Sequence, residues 1–152
     1  MNSVRRVMLQ RMGALAAGLA AGLLHPIASF AAWNKDAFAA RKAKDALTSI
    51  GAGNPAPSKD IVIEAPQIAE NGLVVPIEVT SNIPGTKAIS VLIDKNPFPL
   101  VGRFEFLEGA LPFVKLNAKF GETSDIEVVA EAGGKSFVAT REVKVTIGGC
   151  GG

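Results

Sequence analysis

Tyrosine is absent from the 152 residues, histidine and cysteine each occur once, and methionine occurs three times. The placement sharpens the shortage. His25, Met1, Met8 and Met12 all fall within the first 31 residues, so the chain beyond them holds no His, Met or Tyr and a single Cys. Without histidine there is no Ser-His-Asp or Cys-His catalytic pair. With one thiol and no imidazole or thioether there is no ligand set for a haem, a blue-copper centre or a structural zinc. Only a carboxylate metal site stays open, and no motif supports one. One cysteine also excludes a disulfide within the chain and a thiol–disulfide oxidoreductase, which needs a resolving partner. Long apolar runs are missing too. The uncharged stretch Met12–Leu24 is too short and too rich in glycine for a spanning helix of about 20 residues.

That stretch reads instead as the h-region of an export signal, preceded by Arg5, Arg6 and Arg11 and followed by small residues at Ser29 and Ala31. Cleavage is expected after Ala31, with a slip to Ala32 as the alternative. The adjacent Arg5-Arg6, followed by Val7, Met8 and Leu9, has the form of a twin-arginine signal, and an ordinary secretory signal is the competing reading. Either route places the mature chain in the periplasm, with no membrane span. The signal carries three of the 16 basic residues and none of the 14 acidic ones, so the mature body is close to neutral. The basic isoelectric point therefore belongs to the signal, and no nucleic-acid partner is implied.

The remaining stretch of about 121 residues suits one small domain with a single core. Residues 32–58 read as a helix and a loop. Asn34 is the expected N-cap, Ala40, Ala43, Leu47 and Ile50 recur at helical spacing, and Gly51 is the stop. Pro55 and Pro57 then punctuate a loop. From residue 59 to 147 the period becomes two. Seven strands are expected: Ile61–Ile63, Leu73–Thr80, around Ile89–Ile93, Val101–Leu107, Val114–Phe120, Ile126–Ala132 and Phe137–Ile147, the last interrupted by Arg141 on its apolar face. Asn71-Gly72, Pro84-Gly85, Gly109 and Gly133-Gly134 mark turns between them. The pattern predicts an all-β protein, an immunoglobulin-like antiparallel β-sandwich preceded by one N-terminal α-helix, with a small barrel as the rival.

Residues 148–152 are Gly148-Gly149-Cys150-Gly151-Gly152. Glycine lacks a Cβ and visits most of φ/ψ space, so this segment is expected to be a flexible arm. No core can form around it, so its thiol is not there for packing. An unperturbed cysteine titrates near about 8.5, and no Lys, Arg or His lies beside Cys150 in the tail to lower that. The thiol is then quiet by itself and must be activated in another protein's site. Gly149 and Gly151 remove side-chain bulk on both sides of the sulfur, which suits entry into a narrow channel.

The Gly-Gly-Cys-Gly-Gly terminus resembles that of the SoxY family, the sulfur-carrier subunits of the periplasmic thiosulfate-oxidising system. Asp94-Lys95-Asn96-Pro97-Phe98-Pro99-Leu100 is similar to the family's Lys-Asn-Pro-x-Pro-Leu segment. The resemblance implies a carrier that is not itself an enzyme and needs no cofactor. Its attachment residue is Cys150 and its arm is Gly148, Gly149, Gly151 and Gly152. It implies a heterodimer with SoxZ, loading of thiosulfate by a haem-containing SoxAX-type cytochrome, sulfate release by a di-manganese SoxB-type hydrolase and, where present, oxidation of the residual sulfur by a molybdenum sulfur dehydrogenase.

Three other readings stay open on the residues alone. Cys150 is suited to an intermolecular disulfide on a non-catalytic periplasmic binding or adhesion module. A Gly-Gly terminus also serves ubiquitin-like carriers, which hold sulfur on a terminal thiocarboxylate, although export and an all-β body oppose that. Lys95–Pro99 reads as an ordered loop first and as a partner contact through Phe98 second.

Overall fold

The computed structural model describes residues 34–146. Asn34 caps the first helix as expected, its Oδ1 accepting from the Ala37 N–H at 3.1 Å. The single helix does not form. Two short helices, α1 (Lys35–Ala39) and α2 (Ala43–Ser49), are separated by extended backbone at Ala40 and Lys42. The cause is tertiary. A straight helix would present Ala40 and Ile50 with Ala43 and Leu47, whereas the buried set is Ala37, Ala43, Ala46 and Leu47. Folding back lets these small side chains reach the sheet together. The Asn34 Nδ2 donates to the Ser49 carbonyl at 2.8 Å and closes the pair end to end. Gly51 stops α2 at φ 79°, which frees the Ala52 N–H to bond the Leu47 carbonyl at 2.8 Å.

The strands are β1 (Ala56–Pro57), β2 (Ile61–Glu64), β3 (Ile68–Ala69), β4 (Val75–Ser81), β5 (Thr86–Ile93), β6 (Leu100–Glu105), β7 (Phe113–Ala118), β8 (Ser124–Ala132) and β9 (Lys135–Val145). Seven of them match the sequence pattern. They form two sheets, β2-β4-β7 and β9-β8-β5-β6, with every neighbour antiparallel. The chain crosses between the sheets from β4 to β5, from β6 to β7 and from β7 to β8, as in an immunoglobulin-like sandwich. Gly133 and Gly134, both at positive φ, make the tight β8–β9 turn. Two strands depart from the expectation. β1 and β3 are two-residue segments pairing parallel with β9. They lie in stretches with no alternating pattern, because what holds them is the outer edge of an 11-residue strand, and edge pairing needs backbone groups rather than side-chain type.

Alternation supplies the core between the sheets. Ile61 and Ile63 of β2, Val75, Ile77 and Val79 of β4, and Val114 of β7 meet Ile89, Val91 and Ile93 of β5, Ile126 and Val128 of β8, and Val143 of β9. Each such side chain, fully buried, contributes roughly 1.5–3 kcal/mol. β5 is buried on both faces. Its other face carries Leu92, which packs with Leu100, Val129 and the helical alanines in a second, smaller core. This explains why the β5 sequence reads as a nearly continuous apolar run.

Arg141 occupies an apolar-face position of β9 at the open edge of the sandwich. Its guanidinium donates to the Ile63 carbonyl at 3.0 Å and the Ala65 carbonyl at 2.7 Å. It supplies β2 with hydrogen-bond donors that no strand provides on that side, which is a structural role.

Candidate functional site: the root of the C-terminal arm

Cys150 and its flanking Gly148, Gly149, Gly151 and Gly152 lie outside the described residues, as do Arg5 and Arg6. What the structure does place is the point from which that segment departs. β9 ends at Val145, and Thr146 is tied down beyond it. The Thr146 N–H donates to the Ala69 carbonyl at 3.1 Å, and its hydroxyl to the Glu70 carbonyl at 3.0 Å. The Val145 N–H donates to the Thr123 hydroxyl at 2.9 Å. Two loops thus grip the strand end from two sides.

A third loop joins them. In Lys95-Asn96-Pro97-Phe98-Pro99, Asn96 reaches across to the β7–β8 connection. Its Nδ2 donates to the Lys119 carbonyl at 2.7 Å, and its Oδ1 accepts from the Gly121 N–H at 3.1 Å. The Lys95 N–H donates to the Ser124 hydroxyl at 3.0 Å. Phe120, fully buried between these bonds, donates its N–H to the Gly72 carbonyl at 2.8 Å. The result is a collar of linked loops in which 119–124 is the common member: it is bonded to 94–99 through Lys95 and Asn96 and to 69–74 through Phe120, while Thr123, Ala69 and Glu70 hold the strand end. The reading of Lys95–Pro99 as an ordered loop holds, and Asn96 is the residue that orders it. Phe98 is half-exposed, with the Arg41 guanidinium 4.0 Å over its ring, so it links the loop to the segment between α1 and α2. No local pattern announces the contacts of Asn96 with residues 23 and 25 positions away.

One carboxylate near this end is electrostatically strained. Burial, and then the charge of Asp94, push the Glu127 carboxyl above its ordinary value. A raised value means that the folded state holds the proton more tightly than the unfolded state, so stability falls as pH rises through the carboxylate range. Glu127→Gln is therefore expected to melt at a higher temperature than the parent at pH 7. The gap should close once the pH drops below the carboxylate range, where both side chains are neutral. Thermal melts at the two pH values check this, and an equal or lower melting temperature for the variant at pH 7 contradicts it.

An open groove of about 1070 Å³ lies at the other end of β5, lined by the β4–β5 turn and the β6–β7 loop. Its charged side chains include Arg103, which pairs with both Glu131 and Glu105. Its lining holds no thiol or imidazole.

Two of the comparisons with known proteins name the same family. A model for the sulfur oxidation protein SoxY matches residues 47–150, a span that begins in α2 and ends on Cys150. No curated protein matches by sequence. Among solved structures, the sulfur carrier protein SoxY from Chlorobium limicola f thiosulfatophilum is 41% identical with a TM-score of 0.61, over 68% of this chain and 96% of that one. A superoxide reductase (neelaredoxin) from Ignicoccus hospitalis is 20% identical with a TM-score of 0.50, over 56% of this chain and 78% of that one. This second likeness is one of fold alone. A terminal thiol motif, a sandwich that anchors the segment leading to it, and a family match running to that thiol converge: the chain belongs to the SoxY family of sulfur-oxidation carrier proteins.

Proposed function

We propose that this protein carries sulfur intermediates covalently on Cys150 in the periplasm during oxidation of thiosulfate to sulfate, and presents them to separate enzymes. The observation that supports the reading most is the family match, which extends through the tail to the only cysteine of the chain. The pinned root supports it as well. A carrier must hand its cargo over in a defined direction, and the collar fixes where the arm begins.

In this reading the Cys150 sulfur bonds to the outer sulfur of thiosulfate. Thiol and thiosulfate give an S-thiosulfonate, a proton and two electrons, and the electrons leave to the haem of a SoxAX-type cytochrome. A SoxB-type hydrolase then adds water to the terminal sulfonate. Sulfate and two protons depart, and a persulfide stays on Cys150. A sulfur dehydrogenase oxidises that persulfide where such an enzyme exists. The protein contributes no catalytic group and no cofactor to these steps. It supplies the thiol, a slim arm (Gly148, Gly149, Gly151 and Gly152) and a rigid base. SoxZ is the proposed heterodimer partner, and Arg5-Arg6 the twin-arginine element that directs export of the folded chain. Substitution of Cys150 by serine, with thiosulfate turnover as the readout, tests the proposal.

A further inference from the structure

Leu73 and Val74 are 52% and 64% exposed, although they stand next to the fully buried Val75 that opens β4. Their exposure is built in. The Leu73 N–H is bonded to the Asn71 side chain at 2.8 Å, and Gly72 is bonded to Phe120, so the turn that presents them is fixed at both ends. No packing within the described residues uses these two side chains as core.

Their position relative to the arm limits what can cover them. Thr146 is bonded to Glu70, and Leu73 follows three residues later, within about 11 Å of chain. Cys150 is four residues past Thr146, so it can stand no more than roughly 14 Å from the collar even when fully extended. A protein that takes the Cys150 sulfur into a recessed centre must therefore bring the mouth of that recess against the collar. Charges of both signs ring the collar (Lys95, Lys119, Glu70 and Glu122), so no single-sign field selects the partner.

We propose that Leu73 and Val74 form an apolar docking collar for the mouth of the enzymes that act on the Cys150 cargo, with an apolar rim on the enzyme as the counterpart. This rests on the carrier reading given above. The collar acts by positioning, and its contribution belongs to encounter and binding, not to the chemical step.

The test is the Leu73→Ser/Val74→Ser double variant of the mature carrier, assayed for thiosulfate loading by the purified haem enzyme of the same system. KM for the carrier is expected to rise about tenfold or more, since two aliphatic side chains lose their burial against the enzyme, while kcat is retained. Alkylation of Cys150 by iodoacetamide and the melting temperature should stay at parent values, since neither needs the collar. Lengthening the arm by four glycines after Gly148 should shrink the KM penalty of the double variant, because the sulfur then reaches the centre without collar contact. An unchanged KM overturns the proposal. So does a KM rise accompanied by changed alkylation and melting, which marks the turn as merely structural. Loss of self-association or of SoxZ binding in sedimentation, whatever the KM, assigns the patch to a second copy of the chain or to SoxZ and also overturns it. Cys150→Ser, run in parallel, separates the two readings: if it is loaded as fast as the parent, the carrier reading has failed, not the collar alone.

Discussion

Cys150→Ser is expected to reduce thiosulfate oxidation by the reconstituted system to the level seen with no carrier added, with the fold unchanged. The chain past residue 31 has no second thiol and no imidazole to substitute for it. A serine hydroxyl is a weak nucleophile without an adjacent base, and it forms no stable bond to a sulfane sulfur. The folded body should not register the change, because the hydrogen bonds that hold the end of β9 among the described residues are made by Val145 and Thr146 and none of them uses the thiol. Melting temperature and heterodimer formation are the controls. Parent-level turnover by the serine variant contradicts the account.

Phe120→Ala should have the largest effect on stability. Phe120 is the largest of the fully buried side chains, packed into the inter-sheet core where β7 leaves for β8. Truncating a buried phenylalanine costs about 3–5 kcal/mol through lost transfer energy and the cavity left behind. That is a large part of the roughly 5–15 kcal/mol that holds a domain of this size together. The melting temperature should fall by roughly 10 °C or more. The site gives the variant a second consequence. Its backbone N–H ties the 69–74 loop to the 119–123 loop, so loss of the ring loosens the collar without touching Cys150. Iodoacetamide should still alkylate the thiol at the parent rate at a temperature where the variant is folded. A melting temperature within a degree or two of the parent would show that Phe120 does not hold this junction.

The sandwich was legible because one physical rule wrote it. In β4 and β8, successive residues face opposite sides, and burial of one face forces the alternation seen at Val75, Ile77 and Val79 and at Ile126, Val128 and Ala130. The turns were legible where positive φ demands glycine, at Gly51 and Gly133-Gly134. The division of the helix was not. Ala40-Arg41-Lys42 contains no breaker, and the bend follows from the fit of Ala37 and Ala46 on Leu92 and Val129, a contact between distant parts of the chain. β1 and β3 were hidden for a related reason, since an edge segment pairs through its backbone and needs no pattern. The proposal of the thiol and its glycines rests on the tail sequence alone, because the chemistry it invokes is local. The collar could not, because Thr123, Asn96 and Phe120 have roles only through residues about 20 or more positions away or on other strands. Leu73 illustrates the limit: counted by alternation into a strand, it stands exposed in the turn before β4.

The central claim is that the cargo is bonded to the Cys150 sulfur, and intact-mass analysis of the mature protein isolated from thiosulfate-oxidising cells tests it most directly. The account predicts species heavier than the unmodified chain by sulfur-containing groups, mapped to Cys150 by peptide analysis and removed by a thiol reductant. A thiol that stays unmodified throughout active turnover would contradict it.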